Sequence, residues 1–132
     1  MLRQNFEIIA RAVILDNNRI LLCKRKDRDY SFLPGGHVEF GESSESALAR
    51  ELSEELGVSV TRAKFIGVLE NIFTQDGTKR HEVNLVFEVS LDRISDKSAE
   101  DHIEFYFADI KKLANENLLP VALKKTLIDW LA

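Results

Sequence analysis

Residues Gly36–Val58 read GHVEFGESSESALARELSEELGV and join a glycine-containing loop to a segment rich in carboxylates. Most residues after Ser44 favour an α-helix. Either Ser43 or Ser44 can cap the amino end of that helix, and Gly57 stands where a left-handed residue commonly closes one. The stretch therefore predicts a helix that begins at Ser43 or Ser44 and ends at Leu56.

Two kinds of side chain recur along this predicted helix. Leucines spaced four residues apart predict one buried stripe, formed by Leu48, Leu52 and Leu56. Carboxylates at the spacing i, i+3, i+4 predict an adjacent acidic stripe, formed by Glu51, Glu54 and Glu55. Arg50 can reach Glu54 but cannot neutralise all three acids. An acidic helix face is usually solvated surface, but carboxylates without enough basic partners also suit Mg²⁺ or Mn²⁺.

The loop before the helix contains Leu33-Pro34-Gly35-Gly36 and follows a short apolar run. Paired glycines let the backbone turn sharply and come close to a ligand. A carbonyl or amide offered there would lie near the start of the helix, where phosphate oxygens are favoured.

Composition limits the classes of function. A chain of 132 residues suits one domain, residues 1–132, and 45% hydrophobic with 30% charged residues is typical of a soluble globular protein. The net charge of -4 argues against broad binding to nucleic acid or membranes. It leaves room for a small anionic substrate, because Mg²⁺ would supply local positive charge.

Cysteine usage and the first residues indicate a compartment. Cys23 is the single cysteine, so no intramolecular disulfide can form. Glu7 and Arg11 interrupt the apolar residues near the amino end, so we expect no signal peptide, and no long uncharged span follows. A reducing cytoplasm is the simplest location.

The rest of the chain predicts strands and two further helices. Two hairpins are expected, one joining Phe6–Leu15 to Arg19–Arg25 and one joining Val58–Glu70 to Arg80–Leu91. After a polar loop come a short strand, a brief helix and a final helix, assigned to Ile103–Phe107, Asp109–Leu113 and Pro120–Leu131.

The final helix is expected to bury four residues, Leu123, Leu127, Ile128 and Leu131. Strands interleaved with two substantial helices fit an α/β/α sandwich with a mixed β-sheet.

The quoted stretch resembles the signature of the Nudix hydrolases, G-x5-E-x7-R-E-U-x-E-E-x-G-U, where U is aliphatic. The matching residues are Gly36, Glu42, Arg50, Glu51, Leu52, Glu54, Glu55, Gly57 and Val58. The resemblance implies the same α/β/α sandwich and a MutT-like, Mg²⁺-dependent enzyme. Such an enzyme cleaves the diphosphate linkage of a nucleoside diphosphate joined to another group, by attack of water at phosphorus.

The resemblance also implies roles for individual residues. The implied metal ligands are Glu51, Glu54, Glu55 and the carbonyl of Gly35. Glu42 would bind a further ion or hold the site in shape, and Arg50 would orient a catalytic carboxylate. The general base is a helix glutamate in some relatives and a later loop glutamate in others. Here Glu100 occupies such a loop, with Asp101 and Glu104 as neighbours.

Several residues are candidates for contact with substrate. Nudix proteins often place a basic residue near phosphate at the end of the strand that carries Lys24 and Arg25, although charge runs in loops are often only solvated. Gly36 and His37 lie in the glycine loop and His81 begins a strand, so each could reach substrate. A structural or solvent-facing role for each histidine is equally open.

Three functions can be compared on the sequence alone. The intact glutamates favour a Mg²⁺-dependent pyrophosphohydrolase over a catalytically inactive domain that senses a nucleotide. A role in RNA decapping is disfavoured by the acidic balance. The substrate, the number of metal ions and a homodimer are left open.

Overall fold

The computed structural model describes residues 5–132. Its strands are β1 (Glu7–Val13), β2 (Leu15–Asp16), β3 (Arg19–Arg25), β4 (Ser31–Phe32), β5 (Gly35–His37), β6 (Val60–Gln75), β7 (Thr78–Leu91) and β8 (Ile103–Asp109). Its helices are α1 (Ser44–Leu56), a 3-10 helix (Ile110–Asn115) and α2 (Val121–Trp130).

The strands form two four-stranded sheets. The first sheet has the order β5-β1-β7-β6. It is mixed, because β1 runs parallel to β7, whereas the pairs β1–β5 and β6–β7 are antiparallel. In the second, β3 pairs antiparallel with β2, β4 and β8. Short β5 therefore lies at one edge of the mixed sheet, next to β1.

Alternating side chains on the strands supply two cores on opposite faces. In β3, Leu21 and Cys23 face one core, whereas Ile20 and Leu22 face the other. The first core contains the α1 leucines Leu48, Leu52 and Leu56. The second contains residues of the 3-10 helix and α2, namely Leu113, Leu123 and Leu127. The sheets thus lie between α1 and α2, and the predicted α/β/α sandwich is confirmed.

The two ends of α1 are as predicted. Ser43 is the N-cap, since its Oγ accepts a hydrogen bond of 3.1 Å from the backbone N–H of Ser46. Gly57 closes the helix at φ 66°, in the left-handed region. The helix is therefore held at both ends by local chemistry as well as by its buried leucines.

The predicted first hairpin is wrong in its strand pairing. The turn forms, with Asn17 at φ 57°, but only the two residues of β2 pair with β3. β1 pairs instead with β5 and β7 in the other sheet. The apolar run from Ile8 to Leu15 is buried on both sides around Ile14, so its pattern did not reveal that the chain changes sheets there.

The second hairpin is confirmed and is longer than predicted. β6 and β7 meet at a two-residue turn in which Asp76 has φ 51° and Gly77 has φ 80°. The register of β6 against β7 shifts between Phe65 and Gly67, which marks a bulge.

The carboxyl-terminal elements follow the predicted order. The brief helix is a 3-10 helix, and α2 begins directly after Pro120. Leu123 and Leu127 are buried, but Ile128 is 37% exposed, so its predicted burial is wrong. No helix within residues 5–132 has both the length and the apolar character needed to cross a bilayer.

Gly35 should tolerate no side chain. It pairs with Arg11 at φ 137°, and an added Cβ would overlap the carbonyl oxygen of Ala10. We expect Gly35→Ala to lower the free energy of unfolding by about 2–4 kcal/mol, as measured by urea denaturation.

The matched control is Gly77→Ala, which also has positive φ but no neighbouring atom within 4 Å of the added Cβ. It should cost about 1–2 kcal/mol, from backbone strain alone. Equal decreases in the free energy of unfolding of Gly35→Ala and Gly77→Ala would contradict the close approach of β5 to β1.

Candidate active site

The glycine loop touches the acidic stripe of α1 at Gly36. A Cβ added there would lie 2.6 Å from Oε1 and 2.8 Å from Oε2 of Glu51. Only a residue without a side chain lets the Glu51 carboxylate occupy this position. The close packing of β5 against α1 therefore brings the two halves of the sequence signature together.

Arg50 ties the loop to the helix. Its Nε donates to Oε2 of Glu42 at 2.8 Å and its Nη2 donates to Oε1 of the same carboxylate at 3.0 Å. Its Nη1 donates to Oε1 of Glu51 at 3.1 Å, and its Nη2 also donates to the carbonyl of His37 at 3.2 Å. The two parallel hydrogen bonds between Arg50 and Glu42 fix the relative orientation of these side chains and also pair their opposite charges.

Both carboxylate oxygens of Glu42 accept hydrogen bonds from its neighbours. The Arg50 guanidinium lowers the pKa of Glu42, and the backbone N–H of Glu39 donates to the same carboxylate at 3.2 Å. Of the two roles considered for Glu42, the geometry favours holding the site in shape over binding a further ion.

Glu55 has the opposite environment. It is only 6% exposed, and no basic side chain within residues 5–132 lies within 4.0 Å of its carboxylate. Burial, together with the negative charge and hydrogen bond of Glu51, raises the pKa of Glu55 to about 8. The site thus contains one buried carboxylate whose charge lacks a direct partner.

Glu54 completes the acidic stripe on its outer side. Its side chain is 53% exposed, and Oε1 lies 3.6 Å from Nη1 of Arg50. The three helix acids therefore range from buried to solvent-facing along one side of α1, and Arg50 contacts two of them.

The loop after β7 brings Glu100 to the same region. The backbone N–H of Ala99 donates to the carbonyl of Glu55 at 2.7 Å, and the charge of Glu100 also raises the pKa of Glu55. The Ser98 hydroxyl contacts the backbone of Glu100 at both its N–H and its carbonyl, while His102 lies 3.1 Å from its carboxylate.

The basic residues at the end of β3 have other contacts. Arg25 bonds to both carboxylate oxygens of Asp27, at 3.2 and 3.3 Å. Lys24 lines a cavity of about 390 Å³ together with Glu104 and Tyr106. Because Cys23 faces the core beside α1, alternation places Lys24 and this cavity on the other face of the sheet.

The two candidate histidines differ in their relation to the acids. The carbonyl of His37 accepts from Arg50, while its Nε2 lies 2.9 Å from the Glu7 carboxylate. His81 pairs with Glu70 at 2.7 Å, further along the mixed sheet. The structure therefore joins His37, but not His81, to the network around Arg50 in the described residues.

Arg11, which the sequence analysis did not single out, lies within electrostatic range of Glu55. This side chain in β1 is partly buried, and Nη1 donates to the carbonyl of Leu33 at 3.0 Å. Its positive charge lowers the pKa of Glu55, against the larger effect of burial. The sequence did offer one sign of this position: Arg11 lies within the apolar run Ile8–Leu15, where a side chain is ordinarily predicted to be buried.

The acidic residues fit a divalent cation bound together with phosphate. Within residues 5–132, no three acidic, histidine or cysteine side chains converge closely enough to form a complete metal cage. Mg²⁺ seldom requires one, because it is usually held by one or two carboxylates with waters and substrate phosphates. The neighbouring carboxylates of Glu51 and Glu55 supply that kind of donor set, and Glu55 is buried without a basic side chain as partner.

The family is established by comparison with known proteins. The model of the NUDIX domain matches residues 6–131. The chain therefore belongs to the Nudix family, and its fold and signature agree with that membership.

Two relatives in this family carry the names of different activities. The chain is 33% identical over 104 residues to an ADP-ribose pyrophosphatase from Methanocaldococcus jannaschii, covering 76% of this chain and 60% of the relative. It is 44% identical over 64 residues to a putative 8-oxo-dGTP diphosphatase from Bacillus subtilis, covering 48% and 43%. The matches thus span 60% or less of the length of these relatives.

Solved structures share the fold along nearly the whole chain. A MutT NUDIX hydrolase from Burkholderia pseudomallei has a TM-score of 0.78 and 24% identity, covering 98% of this chain and 100% of its own. A MutT protein from Methanosarcina mazei Go1 has a TM-score of 0.78 and 24% identity, covering 99% and 96%. These likenesses support the architecture.

The buried position of Glu55 predicts a pH dependence of stability. The folded protein binds the Glu55 proton more tightly than the unfolded chain, because its pKa rises from 4.5 to about 8. This contribution to stability is present below pH 4.5 and is lost as the pH rises toward 8. Glu55→Gln has no such proton to lose, so its stability relative to wild type should increase over this range, by a few kcal/mol at most.

Urea unfolding at a series of pH values, with EDTA present, measures this difference. Glu45→Gln, in the first turn of the same helix and exposed, is the matched control. Parallel stability curves for Glu55→Gln and wild type would contradict the uncompensated burial of Glu55.

Proposed function

We propose that this chain is a Mg²⁺-dependent hydrolase that cleaves the diphosphate linkage of a nucleoside diphosphate joined to another group. Mn²⁺ is expected to substitute for Mg²⁺. The observation that carries the proposal is the buried Glu55 carboxylate, which lacks a basic partner and lies beside Glu51 next to the glycine loop. Nudix hydrolases generally depend on divalent metal ions, which agrees with this arrangement.

The residues that would hold the ion are the helix acids Glu51, Glu54 and Glu55, with the Gly35 carbonyl as an added oxygen ligand. When bound, such an ion neutralises phosphate charge and makes water a better nucleophile. A diphosphate bond needs this help, because attack brings an electron-rich water oxygen to an already anionic group.

In this proposal Arg50 is a positioning residue. It holds the Glu51 carboxylate from one side while Glu42 holds the guanidinium from the other. The orientation of Glu51 is thus set before substrate arrives, which saves the free energy of ordering it during the reaction.

Glu100 is our candidate for the general base. It lies on the same side of the fold as Glu55, and its loop is docked on α1 through Ala99. Its carboxylate is partly exposed and near His102, so it can exchange protons with solvent. Glu54, which is more exposed, is the alternative base on the helix.

The names of the relatives support the substrate class. One is an ADP-ribose pyrophosphatase and another a putative 8-oxo-dGTP diphosphatase. Both named substrates are nucleoside diphosphates joined to a further group, a sugar in one case and a phosphate in the other. We propose ADP-ribose and 8-oxo-dGTP as the first compounds to assay; the cytoplasm and a homodimer stay predictions.

The direct test measures product release from these compounds and from a panel of other nucleoside diphosphate derivatives. Wild-type protein is assayed with Mg²⁺, with Mn²⁺ and with EDTA, and the nucleoside monophosphate product is separated from the substrate by chromatography and quantified. Metal-dependent release that stops in EDTA is expected. Binding of nucleotide without product under any metal would instead support a catalytically inactive sensor.

Substitution of the helix acids should abolish this activity. We expect Glu51→Gln and Glu54→Gln to lower kcat/KM by about 100-fold or more, because each removes a charge that would hold the ion. The control Glu45→Gln lies on the same helix at a variable position of the signature and should retain kcat/KM within about twofold.

A direct measurement of metal affinity accompanies these assays. Mn²⁺ titration followed by electron paramagnetic resonance should show weaker binding in Glu51→Gln than in Glu45→Gln. Equal Mn²⁺ affinity in the two variants would contradict the assigned ligands even if activity were lost.

A further inference from the structure

Arg11 is the partly buried arginine in residues 5–132 that lacks an acidic partner within 4.0 Å. Within residues 5–132, Arg11 and Arg62 have no carboxylate within 4.0 Å, and Arg62 is exposed whereas Arg11 is partly buried. A cation withdrawn from water is usually paired, because its lost hydration must be replaced. The environment of Arg11 therefore offers an anionic group a place to bind.

The guanidinium of Arg11 is held in a defined orientation. Nη1 donates to the carbonyl of Leu33 at 3.0 Å, and the guanidinium carbon lies 5.4 Å from the centre of the Phe32 ring. The side chain has five N–H donors, and Leu33 is its one hydrogen-bond acceptor among the described residues. Several donors are thus free to bind a ligand while the group stays in place.

The position of Arg11 places these donors beside the candidate active site. Its backbone pairs with Gly35 of the glycine loop. Its charge acts on the Glu55 carboxylate, which lies on α1 across from that loop. An anion bound by Arg11 would therefore lie near the glycine loop, within electrostatic range of Glu55.

We infer that Arg11 binds a non-bridging phosphate oxygen of the substrate diphosphate, an inference that rests on the proposed function. A guanidinium matches phosphate in shape and charge and can donate two parallel N–H bonds to it. Phosphate oxygens would supply the direct counter-charge that no carboxylate of residues 5–132 supplies within 4.0 Å of Arg11. The contact orients the diphosphate against the helix acids and leaves the chemistry of cleavage to them.

The test uses methylenediphosphonate, a diphosphate analogue that cannot be hydrolysed and carries no nucleoside. Its Kd is measured by isothermal titration calorimetry with Mg²⁺ for wild type and Arg11→Gln. We expect Arg11→Gln to bind about 10- to 100-fold more weakly, the range for loss of a charged hydrogen bond. A Kd within twofold of wild type, or no binding by wild type, would overturn the inference.

Arg19→Gln is the matched control. Its guanidinium also lies over an aromatic ring, 4.5 Å from the centre of Phe107, but it is paired with Asp16 at 2.8 Å. It should leave the Kd unchanged within twofold. Equal weakening in both variants would point to a general loss of positive charge and would overturn the assignment to Arg11.

The dependence of Kd on salt separates binding from support of the loop. A direct charge contact makes the affinity fall with ionic strength, so Arg11→Gln should show a shallower decline than wild type. A variant that merely disturbs the loop through Leu33 would keep the wild-type slope, which would overturn the inference. Arg11→Lys keeps the charge without the planar fork, so its slope should match wild type while its affinity falls less than that of Arg11→Gln.

Failure of this inference is distinguishable from failure of the proposed function. Hydrolysis by wild type with an unchanged KM in Arg11→Gln would retain the function and reject the contact. Weakened analogue binding in Arg11→Gln, in a wild-type protein that hydrolyses nothing, would retain the contact and reject the enzyme.

Discussion

The candidate site depends on the close approach of two glycines to their neighbours. Gly35 packs against the backbone of β1 at Ala10, and Gly36 packs against the carboxylate of Glu51. A side chain at Gly35 would push the loop away from the sheet, and one at Gly36 would displace the Glu51 carboxylate. This constraint explains how the loop can lie close to β1 and to the acidic stripe of α1. The rest of the site is arranged around that junction.

Opposite electrostatic environments lie within one turn of α1. Arg50 satisfies Glu42 and contacts Glu51, which lets the loop and helix hold a fixed geometry without a ligand. Glu55 is buried without such a partner, and burial together with the negative charge of Glu51 raises its pKa. The carboxylates that Arg50 contacts, Glu42 and Glu51, therefore differ in environment from Glu55, which has no basic partner. The Arg50 network maintains the shape, while in the proposed function the uncompensated acid would favour binding of a cation.

Particular residues show how far the sequence predicts this structure. The limits of α1, the N-cap Ser43 and the left-handed Gly57 follow from local rules, and all are confirmed. The pairing of β1 was wrong, because a run buried on both faces has no alternation that could reveal its neighbours. Arg11 was overlooked for a related reason. Its surroundings include Leu33 and Glu55, which are distant in sequence and come near Arg11 only after folding.

The sequence by itself determined the elements whose causes are local, namely the capped acidic helix, the glycine pair and the tight turn at Asp76-Gly77. It also determined the family, because the signature residues have fixed spacing along the chain. Only the tertiary structure decided which acid is buried, which is neutralised by Arg50, and which strand lies beside the loop. The physical reason is that burial and charge compensation depend on residues distant in sequence, and packing alone brings those residues together.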